Sequence, residues 1–287
     1  MRFKAGHFQF EFPRPALVMG ILNVTPDSFS DGGKFLEAEA ALDRAAQMVE
    51  EGADIIDVGG ESTRPGAAPV DEAEELRRIL QVVTRLAGTL RLPISVDTQK
   101  ASVARRAVEE GATIINDVAA AQQSDAMRSL VARSGVGYIN MHRQGEPQTM
   151  QSAPSYQDVA REVGGYFEES LARLDEAGVN RDQIVLDVGI GFGKTVEHNL
   201  ALVGNLDQFV RFGRPMLLGV SRKTFIGKVL NRELTCRIPG ALACSLWAVL
   251  HGVQILRTHD VGETVPALRM LEAILKRREP CSGNSSS

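Results

Sequence analysis

Cysteine is scarce in this chain, with only Cys236, Cys244 and Cys281 among 287 residues. An odd number with neither C-x-x-C nor metal-ligand spacing excludes a disulfide framework and argues against a zinc centre, so the three read as free thiols in a reducing compartment. Long apolar runs are missing as well. No segment reaches the ~18 unbroken apolar residues of a membrane helix. The early stretch from Ala16 to Leu22 follows two prolines and is broken by Gly20, which does not suit a signal-peptide core. Nor is there an excess of one charge. Lys and Arg number 32 against 36 Asp and Glu, a formal charge of −4, so nothing electrostatic points to nucleic acid or an anionic membrane as partner. The expected setting is the cytoplasm, and any bound anion must be held by a local site.

What is present is ordinary for a globular protein, with 44% apolar and 24% charged residues, and this excludes disorder or a fibrous repeat for the whole chain. Eight short runs rich in Val, Ile and Leu recur: Ala16 to Leu22, Asp54 to Val58, Pro93 to Val96, Thr113 to Ile115, Val136 to Asn140, Ile184 to Leu186, Pro215 to Val220 and Gln254 to Leu256. They are apolar on both faces, as parallel strands covered by helices are. Segments between them, such as Glu37 to Glu51, Asp71 to Ala87 and Ser155 to Ala177, carry apolar residues at helical spacing. Gly52, Gly111, Gly135 and Gly178 stand where a left-handed residue would end a helix before the next strand.

Eight such units favour an eight-stranded parallel β/α (TIM-type) barrel over an open doubly wound sheet. The alternating Phe8, Phe10 and Phe12 suggest a short N-terminal β-hairpin closing the barrel bottom. Residues 1–278 are expected to form one domain, with 279–287 as a flexible tail because CSGNSSS is too polar to pack.

A barrel places its chemistry at the C-terminal ends of its strands. The residues that follow the eight runs are Asn23, the Glu61 to Arg64 string, Asp97, Asn116-Asp117, His142, Asp187, the Ser221 to Lys223 string and the Arg257 to Asp260 string. One such residue alone would read as a helix N-cap, but eight in register point to a shared site. Arg64, Arg222, Lys223, Arg257 and His259 suit a phosphate or diphosphate. Asp97, Asp187 and Asn116 form a second group; buried carboxylates are costly without donors, so they suggest a ligand rich in N–H groups.

The Gly-rich stretch from Asp187 to Thr195 has Val188 where a phosphate loop requires glycine, and it reads instead as a flexible loop leaving room for a flat ligand. Phe192 within it suits either the core or an aromatic wall of the site.

The strings MGILNVTPDSFSDGG (Met19 to Gly33), DVGGESTRPGA (Asp57 to Ala67), SVDTQK, IINDV, MHR, LDVGIGFGK, GVSRKTFIG and RTHDV resemble, in order, the signature segments of the bacterial dihydropteroate synthase family. The resemblance runs from about Ala16 to Ala273. It implies a β/α barrel that joins para-aminobenzoate to hydroxymethyl-dihydropterin diphosphate with Mg²⁺. Asp97, Asn116, Met141, Asp187, Phe192, Gly219 and Lys223 match the pterin positions. Asn23, Arg257 and His259 match the diphosphate positions, with Asn23 also the Mg²⁺ ligand. Thr63, Arg64, Pro65, Phe192 and Ser221 match the aminobenzoate side, with Thr25 to Phe35 and Ser62 to Ala68 as loops that close over it.

The implied displacement is dissociative, so Asp97, Asp187, Lys223, Arg257 and His259 would carry catalysis by stabilising charge rather than by supplying a strong base. His142 is expected to act at one remove. The resemblance further implies a homodimer through the last helices, to which the apolar string from Ala241 to Leu250 contributes, and competition by sulfonamides.

Two features depart from the family pattern. Val188 replaces a usual proline, and the stretch from Glu233 to Ala243 differs from the common R-x-x-G-T pattern. A pterin-dependent methyltransferase barrel is disfavoured because it has no diphosphate to neutralise. A non-catalytic pterin- or drug-binding barrel would not need Asn23, Arg257 and His259.

Overall fold

The computed structural model describes residues 1–24, 34–62, 69–118, 124–146 and 148–277. Eight strands close a barrel in chain order: β3 (Leu17–Asn23), β4 (Ile55–Gly59), β5 (Ile94–Asp97), β6 (Ile114–Asp117), β7 (Gly137–Met141), β8 (Ile184–Asp187), β9 (Met216–Gly219) and β10 (Ile255–Thr258), with β10 paired to β3. Each neighbouring pair is parallel. The eight apolar runs are therefore the eight barrel strands.

Around them lie α1 (Lys34–Glu50), α2 (Glu72–Thr89), α3 (Ala101–Glu109), α4 (Asp125–Ser134), α5 (Val159–Glu176), α6 (Val196–Gly204), α7 (Thr224–Leu230), α8 (Ile238–Leu250) and α9 (Val261–Leu275). The capping glycines behave as expected, with φ of 100° at Gly52, 107° at Gly111, 71° at Gly135 and 79° at Gly178. No helix among the described residues is long and apolar enough to cross a membrane. The expected boundary near residue 278 and the tail 279–287 lie outside the described residues.

Two apolar layers split the structure. Outward side chains such as Val18, Ile56, Val96 and Leu218 pack under the helices. Inward Leu17, Met19, Ile55, Ile114, Ile139, Val185, Leu217 and Ile255 fill the lower barrel.

The antiparallel hairpin of β1 (Arg2–Ala5) and β2 (Phe8–Glu11) plugs that end. Phe3, absent from the expected aromatic set, is its most deeply buried phenylalanine and joins Ala5 and Phe12 in the inner cluster. A β-carbon on Gly137 would stand 2.7 Å from the Phe3 ring, so the glycine makes room for the plug. The bottom is thus sealed, and only the C-terminal end of the barrel is left to hold a site.

Candidate active site

Side chains alternate along each strand, so the apolar inward residues of the lower barrel fix which residues face the mouth above them. Above Met19, Ile55, Ile114, Ile139, Val185, Leu217 and Ile255 come Asn23, Asp57, Asn116, Met141, Asp187, Gly219 and Arg257. Asp97 joins them from β5, in register with Gly59 and Asn116. Asp117 lies one position further on and faces outward, where it accepts a hydrogen bond from Tyr138 Oη at 2.6 Å.

The centre of the mouth is a buried charge cluster. Arg257 donates from Nε to Asp57 Oδ2 at 2.6 Å and from Nη2 to Asp97 Oδ2 at 2.7 Å. Asn116 Nδ2 donates to the same Asp57 oxygen at 3.1 Å. The other carboxylate oxygens, Asp57 Oδ1 and Asp97 Oδ1, are buried without a hydrogen-bond partner. Burial pushes Asp97 up to about 7 against the pull of the Arg257 cation. Burial alone would weaken the Arg257 cation, but Asp57 and Asp97 outweigh it and hold its pKa above the ordinary value. Asp187 is also raised, by burial, against the opposing charge of Lys223 and the Gly189 N–H that donates to its Oδ1 at 2.8 Å. Lys223 is lowered by burial to about 8 although Asp187 favours its charge.

The segment after β8 is tied down rather than flexible. Gly189, Gly191 and Gly193 have φ of 66°, 84° and 63°. A β-carbon on Gly189 would lie 1.8 Å from the His142 carbonyl oxygen. All five carbonyls from Gly189 to Gly193 accept side-chain hydrogen bonds. Lys194 Nζ serves Gly189 at 2.9 Å and Phe192 at 3.0 Å, Lys223 Nζ serves Ile190, Gln151 Nε2 serves Gly191, and Tyr156 Oη serves Gly193 at 3.1 Å. Lys223 Nζ also lies 4.7 Å from the Phe192 ring centroid, which brings the two expected pterin neighbours together. His142 turns away from the mouth to Lys194, in keeping with a role at one remove.

On the β9 and β10 side a polar chain runs from Asn23 to Arg222. Asn23 Nδ2 lies 3.5 Å from His259 Nε2, and His259 Nδ1 lies 3.1 Å from Ser221 Oγ. Ser221 donates to Asp260 Oδ2 at 3.1 Å, and Arg222 holds the other oxygen of Asp260 at 2.5 Å. These bonds agree in direction if His259 carries its proton on Nδ1 and accepts at Nε2. Arg222, expected among the anion-binding cations, is therefore engaged with Asp260 and adopts φ of 60°. With Nδ2 turned to His259, the Asn23 amide oxygen is left beside Gly59, which has no side chain to crowd it. A hard cation that keeps mostly water and phosphate oxygens fits one such amide oxygen.

Thr63, Arg64 and Pro65, with most of the two closing loops, lie outside the described residues. The base of the second loop is described: Lys100 Nζ donates to Glu61 and to the buried Glu75, each at 2.5 Å, and Glu61 accepts from the Val70 N–H at 3.2 Å. A cavity of about 220 Å³ beside Asp97 is lined by Glu61, Thr98, Gln99 and Arg143, among others. Sequence reasoning missed Asp57, Lys194 and Lys100. Asp57 had a usable signal, since it lies two positions after inward Ile55; Lys100 reaches its partners only through tertiary contacts, and Lys194 joins two carbonyls of its own loop to a histidine 52 positions away.

Fold and site together define a β/α-barrel enzyme whose mouth pairs buried carboxylates with cations. A family model described as pterin binding enzyme matches residues 19–259. The dihydropteroate synthase of Escherichia coli K12 is 48% identical over 262 residues, covering 91% of this chain and 93% of that one. That of Bacillus subtilis is 44% identical over 266 residues, covering 93% and 91%. A structure of Xanthomonas albilineans dihydropteroate synthase with 4-aminobenzoic acid superposes with a TM-score of 0.90 at 42% identity, covering 96% of this chain and 99% of that one. The Yersinia pestis enzyme in a sulfonamide drug complex gives 0.89 at 42%, covering 96% and 100%. The chain belongs to the pterin-binding enzyme family, in its dihydropteroate synthase branch.

Proposed function

We propose that the chain is a transferase that joins para-aminobenzoate to hydroxymethyl-dihydropterin diphosphate, forming dihydropteroate and diphosphate in folate biosynthesis. The observation that carries this reading is the inward ring of Asp97, Asn116 and Asp187 at one barrel mouth, in a chain related over nine-tenths of its length to dihydropteroate synthases. A reduced pterin presents a guanidine-like edge whose N–H groups satisfy buried carboxylates, which supports Asp97, Asn116 and Asp187 as its partners. Lys223 addresses a ring acceptor, while Met141, Phe192 and Gly219 bound the flat ring. The diphosphate takes His259 and Arg257, the latter once ring binding draws Asp97 away. The aminobenzoate side takes Ser221 and Phe192 with Thr63, Arg64 and Pro65.

Mg²⁺ fits the Asn23 oxygen and, when bound, supplies charge neutralisation to the leaving diphosphate. The carbon–oxygen bond to diphosphate breaks with its electron pair. Ionised Asp97 and Asp187 favour the cation left on the pterin methylene; the aniline nitrogen then forms the new carbon–nitrogen bond with its lone pair and gives up one proton to solvent or the departing diphosphate. Sulfonamides would compete because they share the aniline ring. A methyltransferase or non-catalytic barrel is disfavoured by the Asn23, His259 and Ser221 chain, which faces a leaving-group position neither would need.

A homodimer is supported by apolar side chains on the outer face of the last helices, where Trp247 is 44% and Met270 65% exposed. The free thiols of Cys236 and Cys244 suit a cytoplasmic setting.

The deciding experiment mixes dihydropterin diphosphate, aminobenzoate and Mg²⁺ with the protein and follows diphosphate and dihydropteroate. Formation of both that stops in excess chelator is the expected outcome. No product above the protein-free rate rejects the activity, full turnover in chelator rejects the metal, and a monomeric mass by light scattering at micromolar concentration rejects the dimer.

A further inference from the structure

Lys194 stands in sequence where a phosphate-loop lysine would stand, yet its side chain points into the protein and the residue is only 2% exposed. Burial lowers Lys194 to about 7 against the pull of Asp187; in its charged form its three N–H bonds match three acceptors, Gly189 O at 2.9 Å, Phe192 O at 3.0 Å and His142 Nδ1 at 3.0 Å. Two of these acceptors bracket the curve of the β8 segment, and the third follows β7. The amine therefore works as a tripod joining two strand ends. The curve needs such a tie, because Gly189, Gly191 and the following Gly193 would otherwise sample many conformations. Its first bracketed residue lies two positions after Asp187 and its second carries the ring beneath Lys223. Burial, with Lys194 beside it, drives His142 down to about 2, so the ring is neutral, and Nδ1 accepts from Lys194 when the ring proton sits on Nε2.

We propose that Lys194 is a positioning residue for the pterin half-site: its tripod fixes Asp187 and the Phe192 ring before substrate arrives. This rests on the function proposed above. Lys194 touches no substrate. Its effect passes through the backbone from Gly189 to Phe192, so its loss weakens pterin handling, where both Asp187 and Phe192 act, more than the aminobenzoate side, which it reaches through Phe192 alone.

The test uses two variants of the full chain. Lys194→Met keeps the side-chain length and removes every donor, while Tyr156→Phe removes only the neighbouring donor on Gly193 O. Thermal melting checks folding, steady-state kinetics give both KM values, and fluorescence titration with dihydropterin diphosphate reads binding without turnover. In Lys194→Met the pterin KM and dissociation constant should rise at least about tenfold while the aminobenzoate KM stays within about threefold. Tyr156→Phe should move the pterin values alone, by about two- to threefold.

A folded Lys194→Met with wild-type pterin binding overturns the proposal, as does an equal rise in both KM values, which a general loosening would give. If Lys194→Met does not fold, Tyr156→Phe decides by the same selectivity. Wild-type protein that binds the pterin but forms no dihydropteroate would sink the activity and leave the positioning role to be read from the titration; wild-type protein that binds no pterin would sink both.

Discussion

Arg257 Nη2 and Asp97 Oδ2 meet at 2.7 Å across the barrel mouth, so the cation assigned to the diphosphate rests in the pterin half of the site. Its Nε stays on Asp57 at 2.6 Å. A pterin that takes Asp97 therefore releases one side of the guanidinium while Asp57 retains the other. Asp97→Asn should lower kcat/KM for the pterin diphosphate by more than about 2 kcal/mol, because it loses the charge and turns a donor towards N–H groups. Asp57→Asn keeps an acceptor for Nε and should cost less, about 1 kcal/mol. Steady-state kinetics of both variants check this, and the reverse order would make Asp57 the primary pterin contact.

Asp187 and Lys223 should fail in pterin handling for different reasons. Asp187→Asn removes the charge but keeps the shape, whereas Lys223→Ala strips donors from the ring and from the Ile190 carbonyl. Each should cost more than about 2 kcal/mol in kcat/KM, the scale of an unpaired buried polar contact. A change confined to the aminobenzoate KM would exchange the two halves of the site.

The same groups set a pH profile. A raised carboxyl is ionised only above its pKa, and a lowered ammonium is charged only below its own. With Asp97 raised to about 7 and Lys223 lowered to about 8, the productive combination peaks between them. The free-enzyme kcat/KM should therefore rise through about pH 7 and fall beyond about pH 8. Lys223→Met should keep the acid limb and lose the part of the alkaline limb that Lys223 sets, leaving the fall that Lys194, lowered by burial to about 7, contributes. An unchanged alkaline limb in that variant would assign it elsewhere.

The barrel could be read from sequence because strands buried on both faces leave unbroken apolar runs, and because Gly52, Gly111, Gly135 and Gly178 mark helix ends. Asp97, Asn116 and Asp187 were legible as polar residues ending such runs. Lys194 was not: its partners are carbonyls and a histidine fixed by tertiary packing, and nothing in its local pattern separates a buried ammonium from one facing a phosphate. The loop it holds looked flexible for the same reason, since glycine content reports backbone freedom and not the donors that remove it. Arg257 was legible as a cation, but its resting partner Asp57 lies 200 positions away.

The plug can be tested apart from the chemistry. Gly137→Ala would set a methyl 2.7 Å from the Phe3 ring, at the barrel end opposite the site. Thermal or denaturant unfolding should show a loss of about 1–3 kcal/mol, the usual scale of overpacking, with kcat unchanged. Phe3→Leu should relieve part of it, so the double variant should be more stable than the sum of the single losses implies. Strict additivity would mean that Phe3 does not press on position 137.

Sulfonamide sensitivity should not depend on Val188, although this residue replaces the family's usual proline beside a pterin ligand. Its side chain is buried in the outer cluster, packed away from the mouth, while Asp187 before it points inward. Proline here would restrict φ and remove one N–H, altering how the loop leaves β8. That reaches the drug only through the pterin half, whereas a sulfonamide differs from aminobenzoate beyond the shared ring, towards the opening. Discrimination between the two needs a clash that only one of them makes, and no atom of Val188 is placed to make it. Val188→Pro should change pterin affinity, but the ratio of drug Ki to aminobenzoate KM should stay within about threefold, or ~0.7 kcal/mol. Both constants are to be measured in wild type and variant at one fixed pterin concentration. A tenfold shift in the ratio would mean that the β8 segment reaches the drug, and the division of the mouth into two half-sites would be wrong.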